Sequence, residues 1–175
     1  MIIKSTYLGD IYEIENMKFQ DERGDFVKTF HEERFKAAGL EYAFKENFYS
    51  VSKKGVLRGM HFQIPPHDHA KLVYVPYGEI LDVVVDIRSE SPNYGKFFSL
   101  TLSADNAKSI YIGKGFAHGF LTISKTAIVS YSTTTVHSPK HDSGIKWNSF
   151  KMNWPEIDKI ISKRDSSFPC LEFGT

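Results

Sequence analysis

His61, Lys71 and Tyr131 are the side chains here that could share one reaction. His61 stands in VLRGMHFQIPP, where a strand puts Gly59, His61 and Gln63 on one face. Lys71 shares a strand face with Val73 and Val75, and Tyr131 with Val129 and Thr133. In LDVVVDI, a period of two sets the carboxylates of Asp82 and Asp86 on the same side. His118 lies in GKGFAHGF, where glycines permit close approach of neighbouring segments. If these strands line one barrel, its mouth holds an imidazole, an ammonium, a phenol and two carboxylates. Such a set suits proton transfer at a carbon beside a carbonyl. The plainer reading is a barrel whose polar groups satisfy one another.

A metal centre is the competing chemistry. His67-Asp68-His69 is a His-x-His pair with His118 downstream, and a strand would aim both imidazoles the same way. No Glu follows at the spacing such barrels generally use, and Pro65-Pro66 favours a surface loop. No metal ligands are therefore assigned. Cys170 follows Phe168-Pro169 near the end of the chain and reads as a packed or idle thiol.

The elements that must position these groups are strands. Aromatic residues make up 14% of the chain, with 14 Phe and 9 Tyr, many beside β-branched neighbours. In Lys71–Ile87, Pro76-Tyr77-Gly78 interrupts two β-rich segments and predicts a hairpin or a tight corner. Further strands are expected over Lys96–Leu102, Ser109–Ile112, Gly119–Ile123 and Ala127–Thr135. Helical pattern is confined to Phe30–Ala38 and Pro155–Lys163. Many short strands at close spacing indicate a β-sandwich or small β-barrel. With no repeat or linker, residues 1–175 read as a single all-β domain.

Composition removes several function classes. Lys plus Arg total 22 against 21 Asp plus Glu, so there is no basic excess for general nucleic-acid binding. One Cys excludes an internal disulfide and a four-cysteine zinc site. No apolar run approaches the ~18 residues that a membrane helix needs. The N-terminal MIIKSTYLGDIYEIEN meets acidic residues too early for a signal peptide. A cytoplasmic protein without nucleic-acid or membrane partners is expected.

Longer motifs carry a family resemblance. DERGDFVKTF (Asp21–Phe30), SKKGVLRGMHFQIPP (Ser52–Pro66), AKLVYVPYGEILDVVVDIR (Ala70–Arg88), SPNYGKF (Ser91–Phe97) and GFAHGF (Gly115–Phe120) run in order. YSTTTVHSP (Tyr131–Pro139), GIKWN (Gly144–Asn148) and ISKRDSSFP (Ile161–Pro169) follow. Together they resemble the dTDP-4-dehydrorhamnose 3,5-epimerases. The resemblance implies a cupin-type double-stranded β-helix, a jelly-roll barrel with short peripheral helices. It also implies a homodimer that needs no cofactor and acts on a nucleotide-diphospho-4-keto-6-deoxysugar.

Carried over residue by residue, the resemblance makes His61 the general base and Asp165 the carboxylate that hydrogen-bonds it. Lys71 becomes the cation for the enolate oxygen, and Tyr131 the acid on the opposite face. His118 becomes a substrate-binding residue that Asp82 orients. Arg23, Arg58 and Arg164 become contacts to the diphosphate, where guanidinium forks match its oxygens. The N-terminal strands are expected to complete a partner's sheet and to bring Arg23 to the neighbouring site.

The chain departs from the family pattern around the base. Lys28 replaces a family Glu, and Glu46-Asn47-Phe48 replaces Gln-x-Asn. His137 stands for the tyrosine that stacks on thymine, and Asp142 for a substrate-binding Glu. Lys28 only donates hydrogen bonds, and ionised Glu46 only accepts them. That exchange raises a CDP- or GDP-linked substrate as the alternative to a dTDP-linked one. The resemblance allows inversion at carbon 3, carbon 5 or both.

Overall fold

The computed structural model describes residues 1–172. Its strands are β1 (Ile2–Thr6), β2 (Gly9–Glu15), β3 (Met17–Asp21), β4 (Gly24–Lys28), β5 (Glu46–Lys53), β6 (Val56–Gln63) and β7 (Lys71–Tyr77). They continue as β8 (Glu79–Asp86), β9 (Phe97–Ser103), β10 (Lys108–Ile112), β11 (Phe116–Thr122), β12 (Thr126–Thr133), β13 (Asp142–Gly144) and β14 (Ile160–Ile161). Two short helices accompany them, α1 (Glu32–Ala37) and α2 (Lys163–Ser166).

One sheet runs β1-β2-β10-β7-β12-β5, and a second runs β13-β6-β11-β8-β9 with β14 added beside β6. Alternation gives each sheet an inner apolar face, and the two faces meet. Ile11, Val73, Val75, Ile110 and Val129 of the first sheet share one core with Ile80, Val84, Leu102, Phe116 and Phe120 of the second. This is the all-β jelly-roll barrel that was expected.

Each sheet is also covered on its outer face. Ile14, Leu72 and Tyr111 pack with Phe35 of α1 and Leu40 outside the first sheet. Met60, Val83, Val85 and Ala117 pack with Ile145, Phe150 and Leu171 outside the second. Burial on both sides explains why β8 reads as a near-continuous apolar run.

The Pro76–Gly78 break is a corner, because β7 and β8 lie in different sheets. Gly78 has φ +79°, and a Cβ there would stand 2.1 Å from the Thr126 carbonyl oxygen. One expectation needs correction. Pro155–Lys163 is not a helix: Ile160–Ile161 pairs in parallel with Val56–Leu57, and only Lys163–Ser166 turns helical behind the N-cap Ser162. Backbone pairing to an existing sheet outweighs local helix preference there. β1 pairs with β2, and β2 with β10, which leaves β1 at an edge of its sheet. The β3–β4 hairpin instead stands apart as its own two-stranded sheet.

Candidate active site

A cavity of about 280 Å³ opens between the sheets at one end of the barrel. His61, Arg58 and Gln63 reach it from β6, and His118 from β11. Lys71 and Tyr131 reach it from the facing sheet, where β7 and β12 are neighbours and Thr133 lies opposite Lys71. His61 and Tyr131 therefore occupy opposite walls.

Strict alternation would point Arg58 and His61 to opposite faces, since they are three residues apart. The register shows why both line the cavity. His118 pairs with His61, yet Phe120 pairs with Arg58, so β6 carries one extra residue across Gly59-Met60. Gly59, at φ +134°, makes the bulge possible; a Cβ there would lie 2.6 Å from the Gly119 Cα.

His61 Nε2 donates to Asp165 Oδ1 at 2.9 Å. The second carboxylate oxygen accepts the Gly59 N–H at 3.0 Å, and Ser162 Oγ caps the Asp165 N–H. Burial opposes the charge on Asp165, but the bonds from His61 and Gly59 outweigh it and hold the carboxyl below its ordinary value. An ionised carboxylate can only accept, so it keeps the imidazole proton on Nε2 and leaves a lone pair on Nδ1. Asp165 comes from α2, more than a hundred residues along the chain from His61, and is itself buried.

On the opposite wall Tyr131 is buried, which pushes its phenol well above the ordinary tyrosine value. It stays protonated and can give a proton. Its Oη lies 3.5 Å from Ser50 Oγ. Lys71 Nζ donates to the His61 carbonyl oxygen at 3.3 Å. Burial pushes this ammonium down to about 8, partly offset by the charges of Asp142 and Asp82. A cation so placed stabilises negative charge developing in the cavity.

His118 Nε2 donates to Asp82 Oδ2 at 2.8 Å, and both side chains are buried. Asp86 faces the same interior but lies four residues along β8, about 13 Å away. It is bound there to Arg88 and Ser91, so it is outside the cavity. The mouth carries a charged cluster. Asp142 Oδ2 accepts from Arg164 at 2.7 Å and from His137 at 3.2 Å. Glu46 Oε2 accepts the His137 N–H at 2.6 Å. Phe48, also at the cavity wall, stacks on Tyr131.

Arg23 and Lys28 are not brought to this cavity. Arg23 pairs with Asp21 at the tip of the β3–β4 hairpin, and Lys28 lies on the same exposed ribbon. Lys28 and Glu46 therefore form no joint base-reading pair within one chain. Nor do the histidines of the His-x-His pair converge with His118. His67 stacks on His141, while His69 Nδ1 lies 3.1 Å from Gln63 Nε2 and from Thr135 Oγ1. Among the described residues, no three His, Cys, Asp or Glu side chains are grouped to hold a metal ion.

Sequence reasoning missed His69 and Ser50 as cavity residues. His69 is drawn inward by Gln63, whose Oε1 accepts the Ser138 N–H and whose amide nitrogen therefore faces the ring. Burial, with the charge of Lys71, pushes His69 down to about 3, so it is neutral. Ser50 was legible: it shares the period-two face of Glu46 and Phe48 on β5.

A family model described as dTDP-4-dehydrorhamnose 3,5-epimerase matches residues 5–172. The dTDP-4-dehydrorhamnose 3,5-epimerase of Methanothermobacter thermautotrophicus is 43% identical over 174 residues, covering 97% of this chain and 93% of its own. The crystal structure of the enzyme of that name from Elizabethkingia anophelis superposes with a TM-score of 0.91 at 38% identity, over 97% of this chain and 96% of the other. A Legionella pneumophila dTDP-6-deoxy-D-glucose-3,5-epimerase, solved with dTDP-4-keto-L-rhamnose, gives a TM-score of 0.93 at 34% identity. That match covers 97% of this chain and 92% of the other.

Proposed function

The chain belongs to the dTDP-4-dehydrorhamnose 3,5-epimerase family, and from that premise we propose how its residues carry out the reaction. It is an isomerase that inverts carbon next to the ketone of a nucleotide-linked 4-keto-6-deoxysugar. His61 Nδ1 takes the proton from the carbon beside the ketone. The electron pair moves into the carbonyl, and the Lys71 ammonium stabilises the enolate oxygen. Tyr131 returns a proton from the other wall, so the configuration inverts. Asp165 fixes the imidazole tautomer, and Asp82 holds His118 against the substrate. The observation that carries this reading is the placing of the His61–Asp165 pair and the protonated Tyr131 on facing sheets.

Substrate binding follows the same geometry. The cavity is small against the roughly 300–1,000 Å³ of ordinary ligand sites, so it suits the sugar ring while the diphosphate and base extend over the mouth. Arg58 and Arg164 are placed for the diphosphate, beside Asp142, His137 and Glu46. The carrier is thymidine diphosphate, as the relatives' names specify; cytosine and guanine are not favoured.

Arg23 and Lys28 reach a cavity only in a homodimer. Phe19 and Phe26 of the β3–β4 hairpin are 55% and 60% exposed, their rings lie against each other, and neither belongs to the buried core of the described residues. A second copy would cover this ribbon and receive Arg23 at its own site. The exposed, unbridged Cys170 suits a reducing compartment such as the cytoplasm.

The test is turnover of a dTDP-linked 4-keto-6-deoxysugar in deuterium oxide, reading label at carbons 3 and 5. His61→Asn is expected to lose deuterium exchange by ~100- to 10,000-fold while still binding dTDP. Tyr131→Phe is expected to lose epimerised product more than exchange with retained configuration. Near wild-type exchange by His61→Asn would remove it as the base.

A further inference from the structure

The acid of this site is held by packing more than by hydrogen bonding. The one polar contact of the Tyr131 hydroxyl among the described residues is Ser50 Oγ at 3.5 Å, the outer limit of a hydrogen bond. Nothing there fixes the direction of the phenol. Its ring, by contrast, is enclosed. Val73 is opposite Tyr131 on the β7 side, and Phe48 on the β5 side. The Phe48 ring stacks on it with centroids 4.8 Å apart and planes 16° from parallel. The His118 ring meets it edge-on at 6.2 Å.

Val73 and His118 are themselves buried, and His118 is tied to Asp82. Phe48 is the exception, being 46% exposed on β5, the edge strand of its sheet. An exposed edge aromatic has no core role to explain it. Its place is directly across from the acid, as a cross-strand pair. Without that ring, the space beside Tyr131 opens toward solvent, and the phenol can turn into it.

We propose that Phe48 is the positioning residue for Tyr131, a platform that keeps the phenol aimed across the cavity at the carbon His61 has deprotonated. This rests on the epimerase reading of the same site. Stacking of this kind shifts a conformer ratio by roughly two- to tenfold. Loss of the platform therefore slows reprotonation from the Tyr131 wall, while proton abstraction at His61 continues.

The comparison is Phe48→Leu against Phe48→Tyr, with wild type, in deuterium oxide. Phe48→Leu is expected to lower the ratio of epimerised product to retained-configuration exchange by roughly two- to tenfold. KM changes less than this ratio, and Phe48→Tyr restores it because the stack is kept. An equal fall in both signals, a change in KM alone, or failure of Phe48→Tyr to restore the ratio overturns the assignment. A second measurement needs no turnover. Absorbance titration of each protein against its Tyr131→Phe counterpart reads the Tyr131 phenol, which Ser50 and His118 face, with Asp82 and Arg58 nearby. In Phe48→Leu, water gains access and the phenol is expected to ionise at lower pH than in wild type; an unchanged titration overturns the proposal. Wild-type protein that exchanges no deuterium while the phenol still responds to Phe48 would overturn the epimerase reading and leave the platform standing. Phe48→Ile serves the same comparison if Phe48→Leu does not fold.

Discussion

Lys71→Met separates what the site needs from what the fold prefers. Burial brings the Lys71 ammonium from its ordinary 10.5 down to about 8, despite Asp142 and Asp82. At 1.36 kcal/mol per unit, keeping that charge at pH 7 costs the folded state about 3 kcal/mol. Methionine has similar length and no charge. It removes this cost but also the 3.3 Å bond to the His61 carbonyl, worth about 1 kcal/mol. The variant is therefore expected to be more stable by about 2 kcal/mol, raising Tm by roughly 4–8 °C. Its turnover falls by ~100- to 1,000-fold because the enolate loses its cation. The pH dependence has a definite sign. Between about 8 and 10.5 the unfolded chain binds a proton that the folded chain has released, so wild-type stability rises with pH relative to the variant. Thermal melts at pH 7 and pH 10 read both quantities. A variant that melts below wild type at pH 7, or whose margin is the same at both pH values, refutes the reasoning.

Two other outcomes follow from the same geometry. Asp165→Asn is expected to lower kcat by at least about tenfold with little change in KM, since a charge-assisted bond to His61 is lost. The Asp165 carboxyl is held below its ordinary value, so its stabilisation is present above about pH 4 and disappears as pH falls through the folded value. The Asn variant should lack that acid-dependent share, and identical acid unfolding of the two proteins would contradict it. Arg23→Ala is expected to raise KM by ~10-fold at near-constant kcat. Mixing it with His61→Asn protein should restore tight-binding turnover, because one site of the mixed dimer then has both residues; no recovery, or a monomer by light scattering, removes the shared site.

How far the site was legible depended on whether its geometry is local. Period two alone placed Lys71 with Val73 and Val75, and Tyr131 with Val129, on inward faces, and each does point inward. It also put Asp82 and Asp86 on one side of β8 correctly, yet only Asp82 reaches the histidine. Alternation gives the face of a strand, not the position along it. The link from Asp165 to His61 came from the family resemblance, since no spacing rule relates residues 104 apart. Arg58 came from that source too, because a bulge defeats alternation where β6 crosses Gly119. Pro65-Pro66 indicates a surface loop for His69, and its burial depends on Gln63 and Thr135 from separate segments.

The all-β class and a chain reversal at Pro76–Gly78 were determined by the sequence itself. Their causes lie within a few residues: side-chain alternation, β-branched and aromatic content, and turn residues. The order of strands was not, nor was the failure of Pro155–Lys163 to form a helix, because β14 exists only where β6 offers it an edge. The opposition of His61 and Tyr131 across one cavity was likewise decided by tertiary structure. It arises when two sheets close face to face on a shared core, and the burial of that core sets which wall each residue occupies.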